Sequence, residues 1–173
     1  MLFRSVPLLR FNGVRADYCE NGMYINHTEF SNDSGDIELA GNWRLTGRDN
    51  LGTGLQIVKC GGFATIGGKI QGYAAGLLAE PDTAAVAALS GYPINGIYCT
   101  GTRFEDNGGY DVYINAGTGV ASTSYPNGIV IVGGTIHYLV ANKCKGLTVS
   151  GTYNSISSSW TVNSGATRVK FVG

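Results

Sequence analysis

The sequence predicts an all-β fold in which short parallel strands wind into a solenoid. Three observations predict it. A strand-like phrase recurs along the chain, glycine and asparagine stand beside its copies, and the four cysteines are 41, 39 and 45 residues apart. Regular repeats are typical of solenoids, in which each coil buries its apolar face against its neighbours. We expect a single domain over residues 1–173.

The recurring phrase reads Gly, aliphatic, any residue, aliphatic or Cys, any residue. In such a strand alternate side chains point inward, as expected for Ile97 with Cys99 and for Ile129 with Ile131. Glycine at the corner supplies a positive φ or room for a close backbone approach. In chain order the strict copies are GMYIN at 22–26, GLQIV at 54–58, GIYCT at 96–100, GIVIV at 128–132 and GLTVS at 146–150, and the looser copies are DIELA at 36–40 and DVYIN at 111–115.

The connections between these strands favour a parallel β-helix. A stack of hairpins would join alternating runs by two-residue turns, whereas here Asn-Gly opens an apolar strand after a polar, irregular stretch. Bends without reversals are what a parallel β-helix requires. A β-sandwich is the alternative fold, because short strands at similar spacing occur there as well.

The cysteine spacing predicts the length of a coil. A period of about 40 residues corresponds to two coils of about 20 residues each. The N-terminus lacks the apolar core and cleavage site of a signal peptide, so we expect all four cysteines to be free, buried thiols.

Two segments interrupt the predicted coils. Residues 74–90 are rich in alanine, and a short helix is expected near 82–90. Residues 116–127 form a polar loop without periodicity. Insertions in a solenoid cluster on one face and often build its binding surface. The chain finishes TRVKFVG, a strand without a polar cap, so we expect this end to meet another domain or sister subunits.

Composition argues against several classes of function. The 12 basic and 12 acidic side chains balance, which argues against a nucleic-acid partner. The chain has no run of about 18 apolar residues, so membrane insertion is not expected. Neither His27 nor His137 has a cysteine at metal-ligand spacing, so we expect no metal and no cofactor and assign both histidines structural roles.

Three longer phrases resemble coils of the right-handed parallel β-helix family: CENGMYINHTEFSNDSGDIELAG, NGIYCTGTRFEDNGGYDVYINAG and NGIVIVGGTIHYLVANKCKGLTVSGTYNS. That family includes pectate-lyase-like polysaccharide enzymes and the tailspikes of bacteriophages. Low charge, abundant Gly, Asn, Ser and Thr, and no signal peptide favour the phage branch. The resemblance covers residues 9–173. Tailspikes are usually several times longer, so we expect a fragment or one small module.

The resemblance implies a right-handed, single-stranded parallel β-helix within a homotrimer that recognises a bacterial surface polysaccharide. It places the protein in the virion tail beside other phage tail proteins, after assembly in the host cytoplasm. Depolymerisation of the polysaccharide, by a glycoside hydrolase or a lyase reaction, stays open. The alternatives are a monomeric pectate-lyase-like polysaccharide lyase and a non-enzymatic structural shaft of the virion.

Acidic residues are the candidate catalytic groups. Glycoside hydrolysis needs two carboxylates that flank the bond, about 5–5.5 Å apart for retention and about 6.5–9.5 Å apart for inversion. The first candidate cluster is Glu105, Asp106 and Asp111, and the second is Asp33, Asp36 and Glu38. Against a catalytic role, Glu105 and Asp106 precede Asn107 and two glycines, which suits an exposed corner equally well.

Aromatic and arginine side chains are the candidate glycan contacts. An aromatic ring offers an apolar face to a sugar, tyrosine adds a polar tip, and an arginine pairs with an acidic sugar. Outward tyrosines are also ordinary strand residues, and a tryptophan can equally anchor an interface. The candidates are Trp43, Arg44, Tyr98, Arg103, Tyr113 and Tyr125.

Overall fold

The computed structural model describes residues 8–26, 36–81, 94–151 and 159–172, which form β-strands and one turn of 3₁₀ helix at Ser122–Ser124. The strands are β1 (Leu8–Asn12), β2 (Arg15–Cys19), β3 (Met23–Asn26), β4 (Asp36–Ala40), β5 (Arg44–Gly47), β6 (Thr53–Lys59), β7 (Phe63–Ile66), β8 (Lys69–Gln71), β9 (Ala75–Ala79), β10 (Asn95–Thr100), β11 (Arg103–Glu105), β12 (Tyr110–Ile114), β13 (Asn127–Val132), β14 (Tyr138–Ala141), β15 (Lys145–Ser150), β16 (Ser159–Val162) and β17 (Thr167–Val172).

The strands form three parallel sheets in a solenoid-like arrangement, because each strand pairs with its counterpart one coil away. Sheet A has the order β1-β4-β7-β10-β13-β15-β17, sheet B the order β11-β8-β5-β2, and sheet C the order β16-β14-β12-β9-β6-β3. From β1 to β12 the chain visits A, B and C in turn, and from β13 to β17 it alternates between A and C. An antiparallel β-sandwich does not fit these parallel sheets, whereas a β-helix does.

The coils differ in length, so the expected uniform coil is wrong. In sheet A, Phe63 pairs with Ile97 and Ile129 pairs with Leu147, and the first of these coils takes almost twice as much chain as the second. Cys60 and Cys144 occupy the same corner three coils apart, because the backbone carbonyl of Cys60 accepts from Asn95 and that of Cys144 from Thr167, each the first residue of the sheet A strand one coil later. Cys99 lies within β10 and Cys19 within β2, so the cysteine spacing does not follow the coils.

The core runs along the inside of the solenoid as columns of apolar side chains. Ile97, Cys99, Ile129 and Ile131 are all buried there, which confirms the inward positions expected from the phrase. The cysteines are free, as expected, but only three are buried, since Cys19 is partly exposed. All seven copies of the phrase contribute to strands, in sheet A or in sheet C.

The two sheets use the phrase's glycine for different reasons. In sheet A it adopts a positive φ, for example +93° at Gly96 and +67° at Gly128. In sheet C it permits a close approach, because a Cβ on Gly22 would lie 2.4 Å from the carbonyl oxygen of Gly54. Both reasons are those given for a glycine at a corner.

The two expected insertions have different outcomes. Residues 75–79 form strand β9 of sheet C and not an insertion, because the buried Leu77 and Ala79 continue the sheet's inward apolar columns. The helix expected near 82–90 lies outside the described residues. Residues 116–126 contain no strand and a single 3₁₀ turn, as expected of a loop, and Asn127 already belongs to β13. Within the described ranges, no helix is long and apolar enough to cross a membrane.

Candidate functional site

Sheet B carries a row of basic side chains on its outer face. Its central residues Leu45, Ile70 and Phe104 are fully buried, so the residues on either side of each point outward. Four of these outward residues stand in register on successive strands and are called the basic ladder: Arg15, Arg44, Lys69 and Arg103. Parallel pairing therefore brings four cations, which are far apart in the sequence, into one line along the solenoid.

A second outward row runs beside the basic ladder, two residues further along each strand. Its members in register are Asp17, Thr46, Gln71 and Glu105. The row has a carboxylate at each end and two neutral hydrogen-bonding side chains between them. The outer face of sheet B thus combines four cations with two anions and keeps an excess of positive charge.

Asp17 binds Arg44, the second cation of the basic ladder. Arg44 Nε donates to Asp17 Oδ1 at 2.9 Å, and Arg44 Nη2 donates to Oδ2 at 2.9 Å. This forked geometry is the strong form of an arginine–carboxylate pair. The hydrogen bond from Arg44 lowers the pKa of Asp17, and the same bond raises the pKa of Arg44. Arg44 is therefore oriented before any ligand arrives.

At the other end of the face, Glu105 binds mainly to Lys69. Lys69 Nζ lies 2.6 Å from Glu105 Oε2, whereas Arg103 Nη1 lies 3.7 Å from Glu105 Oε1. Arg103 therefore keeps most of its donors for other partners. Arg15 makes no ion pair with any residue in the described part of the chain, although its charge helps to lower the pKa of Asp17. The two ends of the ladder are its least engaged cations.

The basic ladder lines a pocket of about 370 Å³. Besides the four cations, the lining consists of Asn42, Trp43, Gly68, Gln71 and Gly101. Cations, amide side chains and an accessible backbone are the groups that bind carboxylates and hydroxyl groups. The pocket therefore suits an anionic, hydroxyl-rich ligand.

Trp43 supports this pocket from below and is not an exposed stacking platform. Its side chain is 2% exposed and belongs to the hydrophobic core, and its Nε1 donates to the carbonyl oxygen of Ile66 at 3.2 Å. Gly68, one coil later, lies directly on the ring, since an added Cβ would be 2.0 Å from Trp43 Cε2. The expected stacking role of Trp43 does not fit its burial, because Gly68 covers the ring face.

The residues of the first acidic cluster lie in different surroundings and do not share one cleft. Glu105 is on the outer face of sheet B, bound to Lys69. Asp106 occupies an exposed corner with a left-handed φ of 52°. Asp111 is 1% exposed. This arrangement does not resemble two carboxylates that flank one glycosidic bond.

Asp111 is the centre of a buried hydrogen-bond network that spans three successive coils. Asn107 Nδ2 donates to Asp111 Oδ1 at 2.8 Å, and the backbone N–H groups of His137 and Tyr138 donate to Oδ2 at 2.6 and 3.3 Å. Asn107 Oδ1 in turn accepts from the backbone N–H of Tyr73 at 3.2 Å. A carboxylate with donors on both oxygens joins the coils and has little freedom to act on a substrate.

The second acidic cluster is described only in part. Asp33 and the side chain of Asp36 lie outside the described residues. Glu38 points to the outer face of sheet A, since it alternates with the buried Ile37 and Leu39. The expectation that Asp36 and Glu38 share an outer strand face is therefore consistent with the position of Glu38.

The tyrosine candidates lie away from the basic ladder. Tyr98 is 51% exposed on the outer face of sheet A, and Tyr125 is partly buried beside the 3₁₀ turn. Tyr113 is partly buried on sheet C, where its hydroxyl oxygen accepts from Asn142 Nδ2 at 2.8 Å. Of the histidines, His27 is outside the described residues, and His137 Nδ1 lies 3.6 Å from Asp111 Oδ2.

The basic ladder contains two of the predicted glycan contacts, Arg44 and Arg103. Its other two cations, Arg15 and Lys69, were not predicted from the sequence. A signal for them was present. The strands of sheet B begin RAD, RLT, KIQ and RFE, each a basic residue, an apolar residue and a polar or acidic residue. This three-residue pattern repeats on every described sheet B strand, but it is too short to stand out from ordinary strand alternation.

No group of three or more His, Cys, Asp or Glu side chains that could hold a metal ion occurs in the described ranges. No family model matches the chain, and no curated protein or solved structure matches it.

Proposed function

We propose that the chain is a right-handed, single-stranded parallel β-helix module of a phage tailspike or tail fibre, and that it recognises a bacterial surface polysaccharide. The observation that carries the recognition role is the basic ladder over the pocket on sheet B. The wider setting is supported by the order of the three parallel sheets and by the resemblance of the sequence to phage β-helices.

The chemistry of the pocket favours a saccharide as its ligand. Gln71 and Asn42 offer amide donors and acceptors, and the ladder offers charged donors. Hydroxyl groups of a sugar satisfy the amides, and carboxylates or other acidic substituents satisfy the cations. Because Asp17 already orients Arg44 and Glu105 already binds Lys69, little conformational freedom of these two side chains is lost on binding.

We propose binding without cleavage at this site. Of the acidic candidates, Glu105 is engaged by Lys69, and Asp111 accepts three hydrogen bonds inside the protein. A general acid must instead be free to donate a proton to the leaving oxygen. Absence of released reducing ends after incubation with bound polysaccharide is the expected outcome.

The homotrimer, the contacts with other phage tail proteins and the location in the virion rest on the resemblance alone. The mass in solution tests the trimer, since three chains of 18.2 kDa give a value well separated from that of a monomer. Light scattering on a size-exclusion column measures it directly. A monomer would remove the trimer from the proposal and leave the sheet B site as a property of one chain.

Blocking the pocket without altering its charge tests the recognition role. In Gln71→Tyr the larger side chain fills the pocket, whereas the control Thr148→Tyr places the same ring on the outer face of sheet A. Both proteins are compared on an immobilised panel of neutral and acidic bacterial surface polysaccharides. We expect the wild type and the control to bind a member of the panel and Gln71→Tyr to lose that binding. Failure of the wild type to bind any member, or equal binding by both variants, would contradict the proposal.

A further inference from the structure

We infer that the polysaccharide is a linear polyanion that lies across the strands of sheet B, along the solenoid, and bridges Arg15 and Arg103. This assignment rests on the proposed function and specifies its substrate class. It makes charge and length, and not the identity of one sugar, the main determinants of binding.

The balance of charge on the outer face of sheet B favours an anionic ligand. Four cations face two carboxylates, so the face keeps two uncompensated positive charges. The two carboxylates neutralise mainly the two inner cations of the ladder, because Asp17 pairs with Arg44 and Glu105 pairs mainly with Lys69. The uncompensated charge therefore concentrates at the ends of the ladder, on Arg15 and Arg103.

The register of the strands sets the length of the ligand. Arg15 and Arg103 are separated by three strand-to-strand steps, which is about 14 Å at the usual spacing of a sheet. Because strand side chains stand roughly perpendicular to their sheet, the two charged ends keep about this separation, and a single acidic sugar spans only part of it. An oligomer with acidic groups along its length reaches both and passes over Arg44 and Lys69 on the way.

The same face disfavours a nucleic acid. Asp17 and Glu105 flank the ladder and repel closely spaced phosphates, and the chain as a whole carries no net charge. The only aromatic ring in the pocket lining is Trp43, whose face is covered by Gly68, so bases find no stacking partner there. A polymer with fewer charges and many hydroxyl groups fits the mixed lining better.

The test uses oligomers of a uronic acid, from the single sugar upwards, together with the same oligomers after reduction of their carboxyl groups. Calorimetry measures the affinity of the wild type, Arg15→Gln, Arg103→Gln and the control Arg48→Gln. Arg48 is an exposed arginine paired with Asp49 outside the pocket lining. We expect each ladder variant to lose about tenfold in affinity for long oligomers, the loss expected for one charge-assisted hydrogen bond, and the control to lose nothing.

Short oligomers provide the sharper comparison. A ligand too short to span the ladder cannot contact both ends at once, so Arg15→Gln and Arg103→Gln should each weaken it far less than a spanning oligomer. Asp17→Asn provides a gain of function that misfolding cannot imitate. It releases Arg44 from its carboxylate partner, and we expect a severalfold increase in affinity for acidic oligomers of every length.

The outcomes separate this inference from the proposed function. If reduced, neutral oligomers bind as well as the acidic ones, or if the single sugar binds as tightly as the longest oligomer, the polyanion assignment is wrong while polysaccharide recognition stands. Tighter binding of single-stranded DNA than of any uronic acid oligomer would overturn the saccharide class. If no uronic acid oligomer binds, the inference fails, and binding to the bacterial polysaccharide panel decides separately whether the proposed function survives.

Discussion

Replacing Gly68 by alanine tests how the floor of the pocket is built. Gly67 and Gly68 are adjacent and both have a positive φ, +63° and +77°. A Cβ on Gly67 would meet no atom within 4 Å, whereas a Cβ on Gly68 would lie 2.0 Å from Trp43 Cε2 and 2.3 Å from Trp43 Nε1. The ring is buried and hydrogen-bonded to Ile66, so it cannot rotate into solvent. Both substitutions therefore place alanine in a left-handed backbone, and only Gly68→Ala also brings a methyl group against the Trp43 ring.

The shared cost is the left-handed backbone, about 1–2 kcal/mol for alanine, which is partly offset by the smaller entropy of the unfolded chain. We therefore expect Gly67→Ala to lower the free energy of unfolding by about 1 kcal/mol. Gly68→Ala adds the cost of overpacking against a fixed ring, about 1–3 kcal/mol. We therefore expect a total of about 2–4 kcal/mol for Gly68→Ala.

Urea unfolding followed by circular dichroism measures both free energies, and a common slope confirms that the same surface unfolds. Gly68→Ala should also weaken binding of acidic oligomers, because a displaced Trp43 disturbs the pocket, while Gly67→Ala should not. A double-mutant cycle with Trp43→Leu isolates the clash, since a smaller side chain should recover part of the loss. Equal destabilisation by the two alanines, or additive effects in the cycle, would refute the account of the pocket floor.

Three further predictions concern buried polar groups. Asp111→Asn places an amide N–H₂ against existing donors and should destabilise the fold by about 1–3 kcal/mol, so thermal unfolding that matches the wild type would show that the network is dispensable. The fully buried hydroxyl of Tyr73 has no hydrogen-bond partner in the described chain, and burial raises its pKa to about 12. The stability that comes from keeping this hydroxyl neutral is therefore fully present below pH 10 and is lost as the pH rises towards 12. Tyr73→Phe should be at least as stable as the wild type at neutral pH and should lose less stability between pH 10 and 12. Urea midpoints of the two proteins that shift in parallel with pH would contradict this. Burial also raises the pKa values of Cys99 and Cys144 to about 11. A thiol reagent near neutral pH should therefore label only the partly exposed Cys19 quickly. Rapid labelling that persists in Cys19→Ser would count against this pattern of burial.

A chain without net charge can still bind a polyanion when the fold gathers several of its basic side chains on one surface. The 12 basic and 12 acidic residues cancel over the whole molecule, yet four cations meet in one row of sheet B. The balance of charges argues against a large basic surface of the kind that binds duplex nucleic acid. It did not exclude a narrow basic row, because net charge contains no information about which strands are neighbours.

The sequence by itself determined that the seven copies of the phrase become strands of sheets A and C. Each copy of the phrase contains alternating apolar residues and a glycine, and both signals act within a few residues. The inward positions of Ile97 and Ile129 followed from the alternation alone. The glycine at the corner also indicated the local backbone, since a glycine there either adopts a positive φ or permits a close approach of two backbone segments.

Only the tertiary structure decided which strands are neighbours. The members of the basic ladder, Arg15, Arg44, Lys69 and Arg103, are spaced unequally along the chain, so no constant period relates them. Parallel pairing fixes the register of the strands but leaves the length of the corner loops free, which is why short and long coils stack in one solenoid. The burial of Trp43 has the same origin, because the space for its ring is provided by Gly68, which is distant in the sequence and one coil away.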